Sequence, residues 1–278
     1  MKHTLYPYTF FYERFNPCSF FHPPSGPPGD CFGWVVGVVY DFVPIANWVW
    51  GAAALRLLLI TSVMLQAGAV LAVLLPTWGW RYTLGVSLVV FSLTFSVEYL
   101  GSHTGWPFGG YSYTNLLQPQ LGGVPLLIPV AWLMMLPCTW AVAHRLRASR
   151  WQFALMSGLA LTAWDLFLDP QMVNWNLWQW HEPSGYFGIP WQNYVGWFVT
   201  GTLLTWLIQP RRVPVRPLLI IYAITWFLET FGLAFFWGLV GPAIVGGIVM
   251  GGCMVWGWQS WGRGRKGGGS IQDPFLPV

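Results

Sequence analysis

Asp165 and Asp169 stand four residues apart in the run WDLFLDPQMVNWNLWQWHEPSGYFGIPWQN, in a chain of which only 8% of residues are charged. On a helix that spacing puts both carboxyls on one face. Pro170 is expected to stop or kink the helix directly after them, leaving the pair at a helix mouth. Two further acids sit in apolar surroundings, Glu98 in SVEYLG and Glu229 in LETFG. An ionisable group inside an apolar span generally faces the protein interior and marks function. No Lys or Arg other than Arg56 shares their side of the chain, so burial and mutual repulsion are expected to leave one of the aspartates protonated at neutral pH. That is the state of a general acid, with an ionised neighbour free to act as base or as counter-charge to a developing cation. The competing reading is that these acids only hydrogen-bond neighbouring helices, through partners such as Trp106, Asn193 or Tyr113.

The tryptophans indicate what an acid here would protonate. There are 21 in 278 residues, and an interfacial aromatic belt accounts for most of them. Trp106, Trp132, Trp164, Trp175, Trp178, Trp180 and Trp191 nevertheless crowd the acid-bearing loops and their helices. Flat aromatic walls suit a polyene, and their negative faces stabilise a passing carbocation. Other chemistries have weaker signatures. Asp169, His181 and Glu182 could meet at a metal, but their spacing matches no ligand motif. Ser102 adjoins His103 without a G-x-S-x-G elbow. Gly109-Gly110 and Gly122-Gly123 lack a phosphate-loop frame and suit turns and close helix contacts.

The elements that must position these groups are membrane spans. A hydrophobic fraction of 55% and a mean hydropathy of +0.51 exclude an ordinary soluble domain. The expected fold is all-α, a polytopic transmembrane helical bundle of about seven spans: Ala52–Leu75, Tyr82–Leu100, Val124–Ala143, Trp151–Leu168, Trp191–Ile208, Leu218–Trp237 and Pro242–Trp258. Cys31–Trp50 is apolar enough for an extra N-terminal helix, against which Asp41 and Pro44 argue. The net charge of +4 reads as topology rather than nucleic-acid binding. Arg81, Arg145, Arg147, Arg150, Arg211, Arg212, Arg216, Arg263, Arg265 and Lys266 fall by parity on one side, expected to be cytoplasmic in a multi-pass cell-membrane protein. Arg56 alone opposes that rule. Loops 101–123 and 169–190 contain no Lys or Arg and face the other way. Each follows an acid-bearing helix and re-enters through Gly123-Val124-Pro125 or Gly188-Ile189-Pro190, a weak repeat of helical hairpins that the Glu229–Gly232 segment echoes. The expected organisation is a Pro- and aromatic-rich extension over 1–50, a membrane domain over 51–258 and a basic cytoplasmic tail over 259–278. Cys138 and Cys253 lie in apolar runs as small hydrophobes, while Cys18 and Cys31 could pair if exported.

Several short motifs, taken in order, carry a resemblance. Glu98-Tyr99-Leu100-Gly101, Gly105-Trp106-Pro107-Phe108-Gly109 with Tyr111, and Gly123-Val124-Pro125 come first. Trp164-Asp165 with Asp169-Pro170, and Tyr186-Phe187-Gly188-Ile189-Pro190 with Asn193, follow. From about Gly51 to Trp258 the chain resembles the CruF-type carotenoid 1,2-hydratases, a family that includes bisanhydrobacterioruberin hydratase. The resemblance implies addition of water across the C1,C2 double bond of an acyclic ψ-end, as in γ-carotene or lycopene, with no cofactor and no metal. The residues fit that chemistry, with Glu98, Asp165, Asp169 and Glu229 as catalytic candidates. Asp165 or Glu98 is the expected proton donor, and Asp169 and Asn193 are expected to position water. Trp106, Tyr111, Tyr113, Trp164, Trp191 and Asn193 are expected to hold substrate. Expected partners are the lipophilic carotenoid, membrane lipid and other carotenoid-pathway enzymes, with no nucleic acid. Three rivals stay open. A carotenoid cyclase makes the same protonation and quenches the cation with an internal alkene. A UbiA-like prenyltransferase would use Asp165-x-x-x-Asp169 but needs a second Asp-rich motif and basic residues for the diphosphate. A membrane carrier would use the acids as relays or packing groups.

Overall fold

In the computed structural model the described residues are 52–266, with side chains described from Leu55 to Gln259. The Cys31–Trp50 segment and the Cys18/Cys31 pair therefore lie outside the described residues. Among the described residues the chain forms seven α-helices: α1 (Ala52–Trp78), α2 (Trp80–Thr104), α3 (Leu127–Ala143), α4 (Arg150–Asn174), α5 (Trp191–Ile208), α6 (Val215–Phe235) and α7 (Val240–Lys266). Five of them, α1, α2, α3, α6 and α7, are long and apolar enough to cross a membrane. The other two, α4 and α5, fall short because they carry the polar residues of the interior: Ser157, Asp165, Asp169, Gln171, Asn193, Thr200 and Thr205, all buried.

The bundle is arranged around α3. Of its apolar window 78% is buried, against 28% for α2, so α3 is the central helix and α2 a flanking one. Its sequence LIPVAWLMMLPCTWAVA is apolar on every side, as a helix surrounded by other helices must be. The tightest neighbours are the antiparallel helices α4 and α5. Each presents a glycine at the crossing, and a Cβ on Gly158 would stand 2.7 Å from the Phe198 carbonyl oxygen while one on Gly201 would meet the Leu161 side chain. Small residues let the two backbones approach closely. This approach brings Asn193, at the outer end of α5, against the aspartates of α4.

Local signals set the ends of α4. Ser149 is extended, and its hydroxyl accepts the Gln152 amide N–H at 3.3 Å, a side-chain N-cap. Of the two outcomes expected at Pro170, a stop or a kink, the stop does not occur: α4 runs on to Asn174. A proline inside a helix leaves the carbonyl four residues earlier without its N–H. Here that carbonyl belongs to Leu166, and the Tyr186 hydroxyl donates to it at 3.3 Å from the following loop. The acid pair is thus inside the helix, with Asp169 more than one turn and Asp165 more than two turns before its end, rather than at its mouth. Helix α2 ends at Gly105, whose left-handed φ of 75° lets its N–H return to the Gly101 carbonyl.

The two cation-free loops are not purely irregular, as an all-helical reading supposes. Strand β1 (Tyr111–Tyr113) pairs antiparallel with β4 (Trp178–Trp180), in the register Tyr111 to Trp180, Ser112 to Gln179 and Tyr113 to Trp178. The aromatic residues point inward and the polar residue between them outward in β4, the period-two pattern of a strand with one covered face. A second short pair, β2 (Gln120–Leu121) with β3 (Val124–Pro125), precedes α3, which therefore starts at Leu127 rather than Val124. At the opposite end of the bundle arginines from three loops gather, while Arg56, near the start of α1, lies beside Leu116, Trp175 and Leu177 at the ribbon end. Arg147 donates to the carbonyls of Pro210 and Arg211, Arg150 donates to that of Trp206 and stacks on its ring, and Arg211 lies over Tyr82.

Candidate active site

Beneath the β1–β4 ribbon lies a cavity of about 1070 Å3, its open mouth included. Three helices each supply one carboxyl to its wall: Glu98 from α2, Asp169 from α4 and Glu229 from α6. No Lys, Arg or His lines it. The rest of the wall is aromatic and aliphatic, with Trp132 and Trp197 stacked at 4.1 Å and 6° and Trp164 edge-on to Trp197 at 6.0 Å. Such a surface accommodates an unsaturated hydrocarbon and presents indole π-clouds to any positive charge formed within it.

Glu98 is held by three donors. Its Oε2 accepts the Tyr111 hydroxyl at 2.6 Å and the Tyr113 hydroxyl at 2.7 Å, and its Oε1 accepts the Trp132 indole N–H at 3.0 Å. Hydrogen bonds of this length, with two converging on one oxygen, suit a carboxylate. Burial first, and the neighbouring Glu98 charge second, push the Tyr111 and Tyr113 hydroxyls well above the usual tyrosine range. They therefore remain donors at any physiological pH.

Asp165 and Asp169 are in contact, as their spacing predicts, and Asn193 clamps them. The Asn193 side-chain amide donates to Asp165 Oδ2 at 2.8 Å and also to Asp169 Oδ2. The Trp178 indole donates to Asp169 Oδ1 at 2.7 Å. Asp165 Oδ1 is buried without a partner. A lone buried carboxylate oxygen is costly, whereas a carboxyl that keeps a proton on the pair is not. Asp169 lines the cavity and Asp165 stands behind it, fully buried.

The third acid, Glu229, is 4% exposed and faces the Trp164 indole and the Gln171 amide. The ribbon thus serves two of the three acids, since β1 brings Tyr111 and Tyr113 to Glu98 and β4 brings Trp178 to Asp169.

Of the residues expected at the site, Glu98, Asp169, Glu229, Tyr111, Tyr113, Trp164 and Asn193 line the cavity together. Trp106 and Trp191 do not: they are 64% and 62% exposed. Trp191 opens α5 and Trp106 lies in the turn after α2, and both indoles are on the surface rather than in the cavity wall. His103 stacks on Tyr99 and His181 bonds Ser112 at 2.7 Å, both exposed and outside the cavity wall. Among the described residues no group of three or more His, Cys, Asp or Glu is placed to hold a metal ion. Trp197 and Gln171, not among the residues expected at the site, also line the cavity. Gln171 stands seven residues beyond Trp164 and so on the same helical face, whereas Trp197 carries no signal that separates it from packing residues.

Residues 55–253 match the family described as carotenoid biosynthesis protein. The chain belongs to this family. The match includes every acid of the cavity, the β1–β4 ribbon and the helices that carry them. Within the carotenoid biosynthesis proteins, the chain is similar to the bisanhydrobacterioruberin hydratase of Haloarcula japonica, with 35% identity over 131 residues. The stretch is 45% of this chain and 44% of the relative, so it spans less than half of that protein. No solved structure matches the chain.

Proposed function

We propose that this carotenoid biosynthesis protein is a hydratase that adds water across the C1,C2 double bond of an acyclic ψ-end, of the γ-carotene or lycopene type. The observation that carries the reading is the cavity itself, where an aspartate pair clamped by one amide and a carboxylate held by three donors meet in an aromatic chamber without a cation. Asp169 is the donor. It faces the cavity, and the proton held on the Asp165–Asp169 pair passes from it to C2. The positive charge that forms at C1 is tertiary and lies among the Trp132, Trp164 and Trp197 rings. Glu98, fixed in place beforehand by Tyr111, Tyr113 and Trp132, supplies the opposite charge without reorganising. Water then closes the addition as a tertiary alcohol, and hydride or electron transfer has no part in it.

The same reading makes all seven helices spans, with α4 and α5 carrying their polar residues inward. The basic loops and the C-terminus are on the cytoplasmic side and the acid cavity on the other. It supports this arrangement that the arginine-bearing loops meet at one end and the β1–β4 ribbon lies at the other. The test is expression in cells that accumulate γ-carotene or lycopene, followed by mass analysis of the pigment. Gain of one water is the expected result. An isomer of unchanged mass with a new ring would make the protein a cyclase, a five-carbon increment would make it a prenyltransferase, and unchanged pigment would remove the catalytic reading.

A further inference from the structure

The proposed reaction uses Asp165, Asp169 and Glu98, and Trp164 through its ring, but leaves a buried acid, Glu229, and the Gln171 amide and Trp164 indole N–H beside it without a role. Helix α4 shows how they are arranged. Trp164, Leu168, Gln171 and Trp175 recur at helical spacing and form one stripe, and Asp165, Asp169 and Met172 form the next, about a quarter-turn round the axis. Contacts confirm the division. The aspartate stripe meets Asn193 of α5, whereas Gln171 and Trp164 meet Glu229 of α6. Trp164 and Gln171 are 1% and 6% exposed, and all three residues line the cavity. The Trp164 indole N–H is buried and directed at the Glu229 carboxyl but does not close a hydrogen bond of good geometry with it. An unmatched N–H, an amide and a carboxylate converging on one wall are what a bound water requires, since such a water generally makes two to four hydrogen bonds.

We propose that Trp164, Gln171 and Glu229 form the site of the attacking water, on the wall flanking the aspartate pair, with Glu229 as its base. This inference rests on the hydratase reading. The water accepts the Trp164 N–H and donates to the Glu229 carboxylate, which leaves a lone pair for carbon. Asp169 gives its proton to C2 and the C1,C2 π-bond breaks. The water oxygen then bonds to C1 as one of its protons passes to Glu229. One proton leaves the aspartates and one arrives on Glu229, so exchange with solvent restores both and the net reaction is addition of one water. The acid and the base are thereby separate groups, which is the division of labour that general acid–base catalysis favours.

Separation of the two steps is measurable in D2O. Protonation of C2 can reverse, and loss of protium then leaves deuterium in the recovered alkene even when no water is captured. In the wild-type protein the carotenoid must gain a water, and failure there would refute the hydratase reading before this inference is reached. In Glu229→Gln, hydration is expected to fall by at least ~100-fold, the lower end of what a lost base costs, while deuterium still enters the recovered substrate. Asp169→Asn is expected to lose both. If Glu229→Gln hydrates normally, Glu229 is structural and the inference fails. If it loses deuterium entry as well while melting like the wild type, Glu229 is the acid and the inference fails equally. Should Glu229→Gln not fold, Gln171→Leu takes its place, since it removes an orienting amide and leaves every carboxyl. Lowered hydration with retained deuterium entry supports the water site, and any other pattern overturns it.

Discussion

Replacement of Asn193 by Ala tests the geometry of the acid pair most directly. The Asn193 amide is the one side chain that donates to both carboxyls, at 2.8 Å to Asp165 and also to Asp169. It is 2% exposed, so water does not readily replace it. If the pair carries a single charge, one of the lost bonds is charge-assisted and one is neutral. The two together are worth about 2–4.5 kcal/mol, taking ~1.5–3 for the first and ~0.5–1.5 for the second. Where that energy is expressed in the reacting state, at ~1.4 kcal/mol per tenfold, kcat falls roughly 30- to 1600-fold. Where it is expressed in the fold, the melting temperature falls instead. Measuring both the hydration rate per unit of protein and the unfolding temperature in detergent separates the two. Trp191→Leu, at the start of the same helix but 62% exposed, is the matched control and is expected to retain full rate. An Asn193→Ala protein that hydrates within threefold of wild type and melts at the same temperature would show that the clamp does not organise the acids, and the donor assignment would fall with it.

Other perturbations have equally definite outcomes. Tyr113→Phe removes one of the three donors to Glu98 and is expected to cost about 1.5–3 kcal/mol of transition-state stabilisation, read as a roughly tenfold to hundredfold loss of kcat with little change in KM. Tyr186→Phe uncovers the Leu166 carbonyl that Pro170 leaves unpaired, and is expected to lower stability by ~1 kcal/mol in a melting experiment while hydration continues. Gly158→Ala places a methyl 2.7 Å from the Phe198 carbonyl and against Thr202, forcing α4 and α5 apart. A loss of about 1–3 kcal/mol is expected, together with lower activity because Asn193 is drawn away from the aspartates. Trp106→Leu, remote from the cavity wall, is expected to leave turnover unchanged.

How much of this could be read from residue types alone depends on the range of the interaction. The contact of Asp165 with Asp169 follows from a four-residue spacing, and the meeting of the Arg147, Arg150 and Arg211 loops at one end follows from loop parity, with Arg56 the exception. Both are local or additive signals. Pro170 misleads for a long-range reason, because the rescue of the Leu166 carbonyl comes from Tyr186, on a different segment. The β1–β4 ribbon was open to detection, since Tyr-Ser-Tyr and Trp-Gln-Trp both alternate aromatic with polar, but three residues fall below the length at which alternation stands out. The partner of each strand lies in the other loop, which no local pattern encodes. Seven spans are expected, and among the described residues there are seven helices, of which five are long and apolar enough to cross a membrane and two are too polar to pass by composition. They are the two that hold the aspartates and their clamp. Trp106 and Trp191 illustrate the limit of residue type, for an indole at a helix end looks the same in sequence whether it faces lipid headgroups or substrate.

The ribbon over the cavity has a consequence for traffic. Lifting it would strip Glu98 of Tyr111 and Tyr113 and Asp169 of Trp178 in a single movement, leaving Glu98 with Trp132 and Asp169 with Asn193. A roof fastened to the very groups it shelters makes a poor door. For the water-insoluble substrate of the proposed reaction, entry sideways between helices rather than past the ribbon would keep these contacts assembled.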